Sequence, residues 1–452
     1  MNINTRMRVC FGVKTHQLIS RVFCHQVRCR ASQSRLCCSS PPDEEKPRPS
    51  MLRHLTSKIK ATGPITVAEY MREVLTNPVT GYYVRNNMLG PDGDFITSPE
   101  ISQIFGELLG VWIISEWMGA GRPKQLQLVE LGPGKGSLAG DVLRVFSQLR
   151  SVVGEASLSL HLVEVSPVLS RLQAQNLTGS RSREAEAEDE PVYRRGETAA
   201  GLPVSWYRRL EDVPTGFSIF LAHEFFDALP IHKFQRTQKG WREVMVDIDP
   251  EKTEQLRFVV APSPTLASST LVQADERRGH VEVCADGGVV VQQMARRIEE
   301  DGGAALIADY GHDGTKTDTF RGFKGHQLHD VLSSPGSADL TADVDFSFLR
   351  RMVGGVVTCV GPVTQRTFLK NMGIDSRMQV LLRSCSDAST RKQLIGSYDM
   401  LTNPDKMGDR FHFFGLLHHS RLSKPTRAEG LKLEKKSPAP LPVAGFTELS
   451  FS

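Results

Sequence analysis

Between residues 125 and 177 the chain alternates between two hydrophobic periods. Residues 126–131 (LQLVEL) and 158–165 (LSLHLVEV) are apolar-rich and of strand length, whereas 137–149 and 167–177 repeat apolar positions at helical spacing. Strand, glycine loop, helix, strand, helix in that order predicts parallel strands joined by crossover helices. Further strands are predicted at 217–222, 231–235, 241–247, 304–308, 356–360 and 411–417, with a helix at 290–300. The pair at 231–247 is split by TQKG as in a hairpin, and a β-rich pattern continues to residue 285. Residues 311–345, rich in Gly, Asp and His, read as a long loop region.

The stretch 51–121 reads mostly helical. Thr66-Val-Ala-Glu69 has the form of a capping box, and Ser98-Pro99-Glu100 supplies an N-cap, a proline and a first-turn acid. Between these helices lie two turn-rich segments, NPVTGYYV (77–84) and LGPDGDFITS (89–98), whose aromatics suit a ligand lid as well as a plain connection. Residues 178–203 hold almost no apolar side chains and read as a flexible surface insertion. The longest apolar stretch, residues 108–118, is broken by Ser115 and Glu116, too short for a membrane span.

Composition is that of a globular protein: 452 residues, 40% hydrophobic and 23% charged. The formal charge of +4 is unevenly placed. Residues 1–42 contain six Arg, one Lys and no acid; without those seven cations, 48 Lys and Arg face 51 Asp and Glu, a balance of −3. No broad basic face remains for nucleic acid. The acid-free, Arg- and Ser-rich opening instead has the composition of a mitochondrial transit peptide, followed by a Pro-rich linker at 43–50. Five of eight cysteines fall in that leader; Cys284, Cys359 and Cys385 remain, an odd number without CxxC spacing, which indicates neither a disulfide framework nor a zinc cluster.

The strongest local chemistry is Glu130-Leu131-Gly132-Pro133-Gly134-Lys135-Gly136-Ser137, directly after a strand. Lys135 is followed by Gly136 where a Walker loop needs Ser or Thr, and a dinucleotide fingerprint needs glycine where Ser137 stands. The E-x-G-x-G-x-G pattern favours S-adenosylmethionine over a nicotinamide cofactor: Gly132, Gly134 and Gly136 let the backbone approach the ligand, and Glu130 can accept from the ammonium of the methionine moiety. Glu164, at the end of the next strand, is placed to accept from the ribose hydroxyls.

A second constellation, His223-Glu224-Phe225-Phe226-Asp227-Ala228-Leu229-Pro230, follows another strand. Carboxylates there would orient a guanidinium and polarise one of its nitrogens, so Glu224 and Asp227 are the candidate catalytic residues, with Phe225 or Phe226 stacking on the planar group. The competing reading makes Glu224 a helix cap and both Phe core residues. His312, His326 and His329 beside Asp309, Asp313 and Asp330 lack metal-ligand spacing, and His418 and His419, expected on the last strand, would face opposite sides; no metal is expected.

NPVTGYYV, GDFITSPEISQIFGELLGVW, LVELGPGKGSLAGDVLR, LVEVSP, AHEFFDALP, DYG at 309–311, PGSADLTADVDF and RFHFFGLL, in this order from about residue 52 to 417, resemble the MidA-like family, and its mitochondrial arginine methyltransferases in particular. The resemblance implies a class I S-adenosylmethionine-dependent methyltransferase, an α/β Rossmann-like fold with a mostly parallel sheet, an N-terminal helical segment and a β-rich insertion. It implies symmetric dimethylation of an arginine on a core subunit of the complex I peripheral arm, in the mitochondrial matrix, in support of complex I assembly. The family's cofactor loop falls on Glu130, Gly132, Gly134 and Gly136, with Glu164 on the second strand. His223 stands where the family often has Asn. The expected organisation is a leader (1–42), linker (43–50), helical segment (51–121), methyltransferase domain (122–420, with a loop at 178–203 and an insertion at 231–285) and tail (421–452). A non-catalytic assembly chaperone that keeps the cofactor pocket, and an NAD-dependent oxidoreductase, are the alternatives.

Overall fold

A computed structural model describes residues 50–84, 97–187, 190–252, 254–422 and 442–447. The leader, nearly all of the linker, most of the tail and most of the 89–98 segment lie outside the described residues. In chain order the strands are β1 (Ile65–Thr66), β2 (Gln125–Leu131), β3 (Ser157–Val163), β4 (Ser182–Glu184), β5 (Val192–Glu197), β6 (Pro203–Tyr207), β7 (Ser218–His223), β8 (His232–Thr237), β9 (Gly240–Ile248), β10 (Leu256–Val260), β11 (His280–Val283), β12 (Gly303–His312), β13 (Arg321–Lys324), β14 (Gln327–His329), β15 (Asp339–Thr341), β16 (Val344–Asp345), β17 (Thr358–Thr364) and β18 (Phe411–Leu417).

The central sheet runs β17-β18-β12-β7-β2-β3-β6-β5-β4. Its middle, β12-β7-β2-β3-β6, is parallel, and the strands outside it are antiparallel. Helices cover both faces, so the middle strands are apolar on both sides. Leu126, Leu128, Leu160, Leu162, Ile219 and Leu221 enter one core, while Val129, Leu131, Val163, Phe220 and Ala222 enter the other. Period-two alternation therefore sorts side chains between two cores rather than between core and water.

The helix Gln103–Gly119 shows the same logic: it is buried almost all round, from Ile104 to Trp117. Its two enclosed acids are each paired, Glu107 with Arg377 at 2.8 Å and Glu116 with Arg421 at 2.7 Å. An unpaired charge at that depth would cost several kcal/mol.

Strands β8, β9, β10 and β11 form a second, antiparallel sheet, which is the β-rich insertion, and β1 joins it from the N-terminal segment. The segment 51–121 consequently divides. Leu55, Ile59, Tyr70, Met71 and Val74 pack with Val246 and Leu256 of this sheet, whereas Gln103–Gly119 belongs to the main core. Thr66 caps the helix Val67–Thr76 by accepting from the Glu69 amide, as its spacing predicts. The second cap falls one residue earlier than predicted, on Thr97, in a capping box with Glu100.

Three expectations are corrected. The stretch 178–203 is not a loop throughout: β4 and β5 extend the central sheet at its edge. An edge ribbon needs few apolar side chains, and here Arg194 pairs with Glu184 while the Tyr193 hydroxyl donates to the Glu164 carbonyl at 2.9 Å. The region 311–345 carries a small sheet, β14-β13-β15, and β16 paired to the end of β12. Its strands are two to four residues long, too short to register as a hydrophobic period. His418 and His419 lie beyond β18, which ends at Leu417.

Candidate active site

After β2 the chain steps outward to β3 and β6, then returns to lay β7 and β12 on the other side of β2. Carboxyl ends of strands at such a reversal open a crevice, here between β2 and β7, with Leu131 paired to Ala222. The glycine loop leaves one wall and the HEFFD turn leaves the other.

Gly132, Gly134 and Gly136 have φ of +62°, +53° and +78°, the left-handed region. Gly132 also has no room for a side chain, since a Cβ would lie 2.9 Å from the Phe225 ring of the opposite turn. Gly136 caps the helix Ser137–Gln148 and offers no side chain to its first amides. The Gln173 amide nitrogen donates to the Gly134 carbonyl at 2.7 Å and to Glu164 Oε2 at 3.0 Å, while its oxygen accepts from the Trp206 indole at 3.0 Å. Gln173 thus ties the loop to the second-strand acid. Nothing in the sequence marks it, because a buried glutamine on an otherwise ordinary helix has no motif.

Glu130 is buried at the end of β2, and its Oε2 has no hydrogen-bond partner. Burial, helped by Asp141, pushes its carboxyl up to about 8. An orphaned carboxyl oxygen beside a glycine-rich loop fits an ammonium-bearing cofactor. Glu164 follows β3; its oxygens accept from the Ser166 amide at 2.7 Å and from Gln173, and burial pushes it to about 7 against those hydrogen bonds. Each oxygen keeps a further lone pair, so Glu164 can also accept a ribose hydroxyl.

The opposite wall ends in acids. Glu224 adopts φ +49°, and its Oε1 has no hydrogen-bond partner. Burial and then Asp227 hold its carboxyl well above the usual range. Asp227 accepts from the Thr341 hydroxyl at 3.0 Å; burial pushes it to about 6, opposed by that bond and by the Arg321 charge. Asp309 lies fully buried on β12, and Asp339 binds the Tyr83 hydroxyl at 3.0 Å. Both Glu224 and Asp227 are thus assembled with two acids outside the predicted pair, on DYG and on β15. No helix follows Glu224, so it caps none. Phe226 is core, while Phe225 is only partly buried and packs on Gly132 across the crevice. Tyr310 is an aromatic on this wall, its ring 3.9 Å from Phe411 and 5.6 Å from the Arg321 guanidinium. Buried acids, one of them with an oxygen that lacks a hydrogen-bond partner, suit a cation: an arriving positive charge would favour the ionised carboxylates that burial disfavours.

The histidine and aspartate group does not converge. Asp309 faces the turn amides, while His312 Nδ1 accepts from the Thr315 amide at 3.1 Å.

A family model described as an S-adenosyl-L-methionine-dependent methyltransferase matches residues 108–363. The chain belongs to the MidA-like family of these enzymes. It is 69% identical over 400 residues to the mitochondrial protein arginine methyltransferase NDUFAF7 of Danio rerio, covering 88% of this chain and 93% of that one. To the protein of the same name in Homo sapiens it is 60% identical over 407 residues, with 90% and 92% covered. In fold it is similar to a Burkholderia thailandensis protein crystallised with S-adenosyl-homocysteine, at a TM-score of 0.66 and 24% identity, covering 81% of this chain and 92% of that one. As a MidA-like methyltransferase the chain takes S-adenosylmethionine, which removes the NAD-dependent alternative.

Proposed function

We propose that this MidA-like methyltransferase dimethylates, symmetrically, an arginine on a core subunit of the complex I peripheral arm in the mitochondrial matrix, and so supports complex I assembly. The supporting observation is the buried carboxyl of Glu224, with one oxygen unpartnered, beside Asp227. The names of the relatives agree in calling those proteins mitochondrial and arginine methyltransferases.

Glu130, the loop Gly132–Gly134–Gly136 and Glu164 would hold the cofactor, which supplies a methyl group on a sulfonium. Glu224 and Asp227 hold the guanidinium cation and direct one nitrogen at that methyl. An arginine that gains a methyl group gives up one N–H proton; Glu224, ionised when the guanidinium cation binds and its own proton passes to solvent, would accept it, since burial raises its proton affinity. The low-dielectric setting strengthens each of these contacts. Incubation of the full chain with S-adenosylmethionine and the complex I core subunits, followed by mass spectrometry of the modified arginine, tests the reading. Symmetric dimethylarginine is the expected product; an asymmetric product or a modified lysine would contradict it.

A further inference from the structure

Glu224 is not a residue that adopts its conformation freely. A left-handed φ of +49° on a side-chain-bearing residue is strained, and such strain persists only where the surroundings over-determine it. The restraint comes from the neighbouring strand. On β12, parallel to β7, Ala308 lies opposite His223, and the Ala308 carbonyl accepts from the Glu224 amide at 3.1 Å. The next residue along β12, Asp309, then accepts three successive amides of the turn on one oxygen: Phe225 at 3.2 Å, Phe226 at 2.9 Å and Asp227 at 3.3 Å. Its other oxygen accepts from the Tyr310 amide at 2.9 Å.

Successive N–H groups pointing into one concavity form an anion-binding nest. In this turn the anion is the chain's own carboxylate, fully buried. The cost is considerable, since Asp309 is enclosed with Asp227 and Glu224, and their charges join burial in holding its carboxyl well above the ordinary range. A turn needed only to connect β7 to β8 could satisfy its amides with water or carbonyls at no such cost.

We propose that Asp309 is a positioning residue of the methyl transfer, acting through the turn: its carboxylate gathers the amides of residues 225–227 and thereby fixes where Glu224 and Asp227 present their carboxyl groups. This rests on the reading that those two acids hold the acceptor. Both oxygens of Asp309 are taken up by backbone amides of the turn and of Tyr310, and the glycine loop, Glu130, Gln173 and Glu164 form the cofactor wall without it.

Two substitutions in the full chain test this. Asp309→Asn keeps an acceptor oxygen in place but lowers its hold on the three amides; Asp309→Ala removes the acceptor. A displacement of about 1 Å at a reacting group costs on the order of a hundredfold in rate. The expected result is a kcat lowered roughly tenfold in Asp309→Asn and roughly a hundredfold in Asp309→Ala, with KM for the arginine peptide and the calorimetric affinity for S-adenosylhomocysteine changed less than about threefold. Should the alanine variant fail to fold, Asp309→Asn decides alone. An unchanged kcat in Asp309→Asn overturns the proposal, as does a loss of cofactor affinity that matches the loss of turnover, which would make the effect one of the whole crevice. Glu224→Gln, measured in parallel, separates the two readings: if it turns over normally, the acceptor assignment of the acids fails whatever Asp309 does.

Discussion

Nε2 of His223 and Oε1 of Glu224 lie 3.4 Å apart, and neither atom has a hydrogen-bond partner. The imidazole is held between Phe105, at 5.0 Å, and Phe411, at 6.3 Å and stacked. Burial drives the two groups apart in proton affinity, His223 down to about 3 and Glu224 well up. Burial thus favours the neutral imidazole and the protonated carboxyl, whereas an incoming guanidinium, as a positive charge, favours the ionised form of Glu224.

Glu224→Gln should keep the shape of that group and abolish its ionisation. Turnover should fall on the order of a hundredfold, the range of a general base, with S-adenosylhomocysteine affinity retained. Steady-state methyl transfer and calorimetry on the same preparation check both halves; unchanged turnover would remove Glu224 from the catalytic assignment.

Gly134→Val acts on the other wall. A β-branched residue at φ +53° is strained by roughly 1–3 kcal/mol, or about tenfold to a hundredfold in cofactor affinity if the loop must distort to relieve it. Equilibrium binding of S-adenosylhomocysteine measures this directly, and wild-type affinity would contradict the placement of the loop.

The buried acids of the cofactor wall carry a pH dependence. Glu130, pushed to about 8, is protonated in the free protein at neutral pH, whereas an ammonium partner favours the ionised form. Binding should therefore release a proton. Affinity for S-adenosylhomocysteine should rise by up to about tenfold per pH unit as pH increases toward about 8, more steeply below about 7, where Glu164 also titrates. Calorimetry in buffers of different ionisation enthalpy counts the proton. A flat affinity from about pH 6 to about pH 8, or an unaltered slope in Glu130→Gln, would refute the ammonium contact.

The enclosed pair Glu107–Arg377 bears on stability alone. Both side chains are under 5% exposed. Arg377→Ala should cost about 3–5 kcal/mol in denaturant unfolding, because Glu107 is left buried without its cation, whereas Glu107→Leu with Arg377→Met should recover most of it. A loss below about 1 kcal/mol in the single variant would mean that water reaches Glu107.

How much of this could be read from the sequence depended on the range of the interactions involved. β2, its glycine loop and the following helix are legible because their apolar spacing and the left-handed glycines are local properties, and Glu130 and Glu164 follow from strand ends. Glu224 and Asp227 are legible as a pair, but their surroundings are not. Asp309 is 82 residues from Asp227, Asp339 is 256 from Tyr83, and Thr341 is 114 from Asp227; only strand order brings them together. The two Phe are ambiguous in the sequence for a related reason: HEFFD shows them adjacent, but the neighbouring core and Gly132 decide where they point. The edge ribbon at β4 and β5 was hidden because edge strands keep charged side chains in water.

The most direct test of the account is methyl transfer to protein. The full chain is incubated with radiolabelled S-adenosylmethionine and mitochondrial extract, with Gly134→Val as the control. Label is expected on an arginine of one complex I core subunit, absent with the variant. Tight cofactor binding by the wild-type chain with no label on any protein would contradict it and leave a cofactor-binding assembly chaperone in its place.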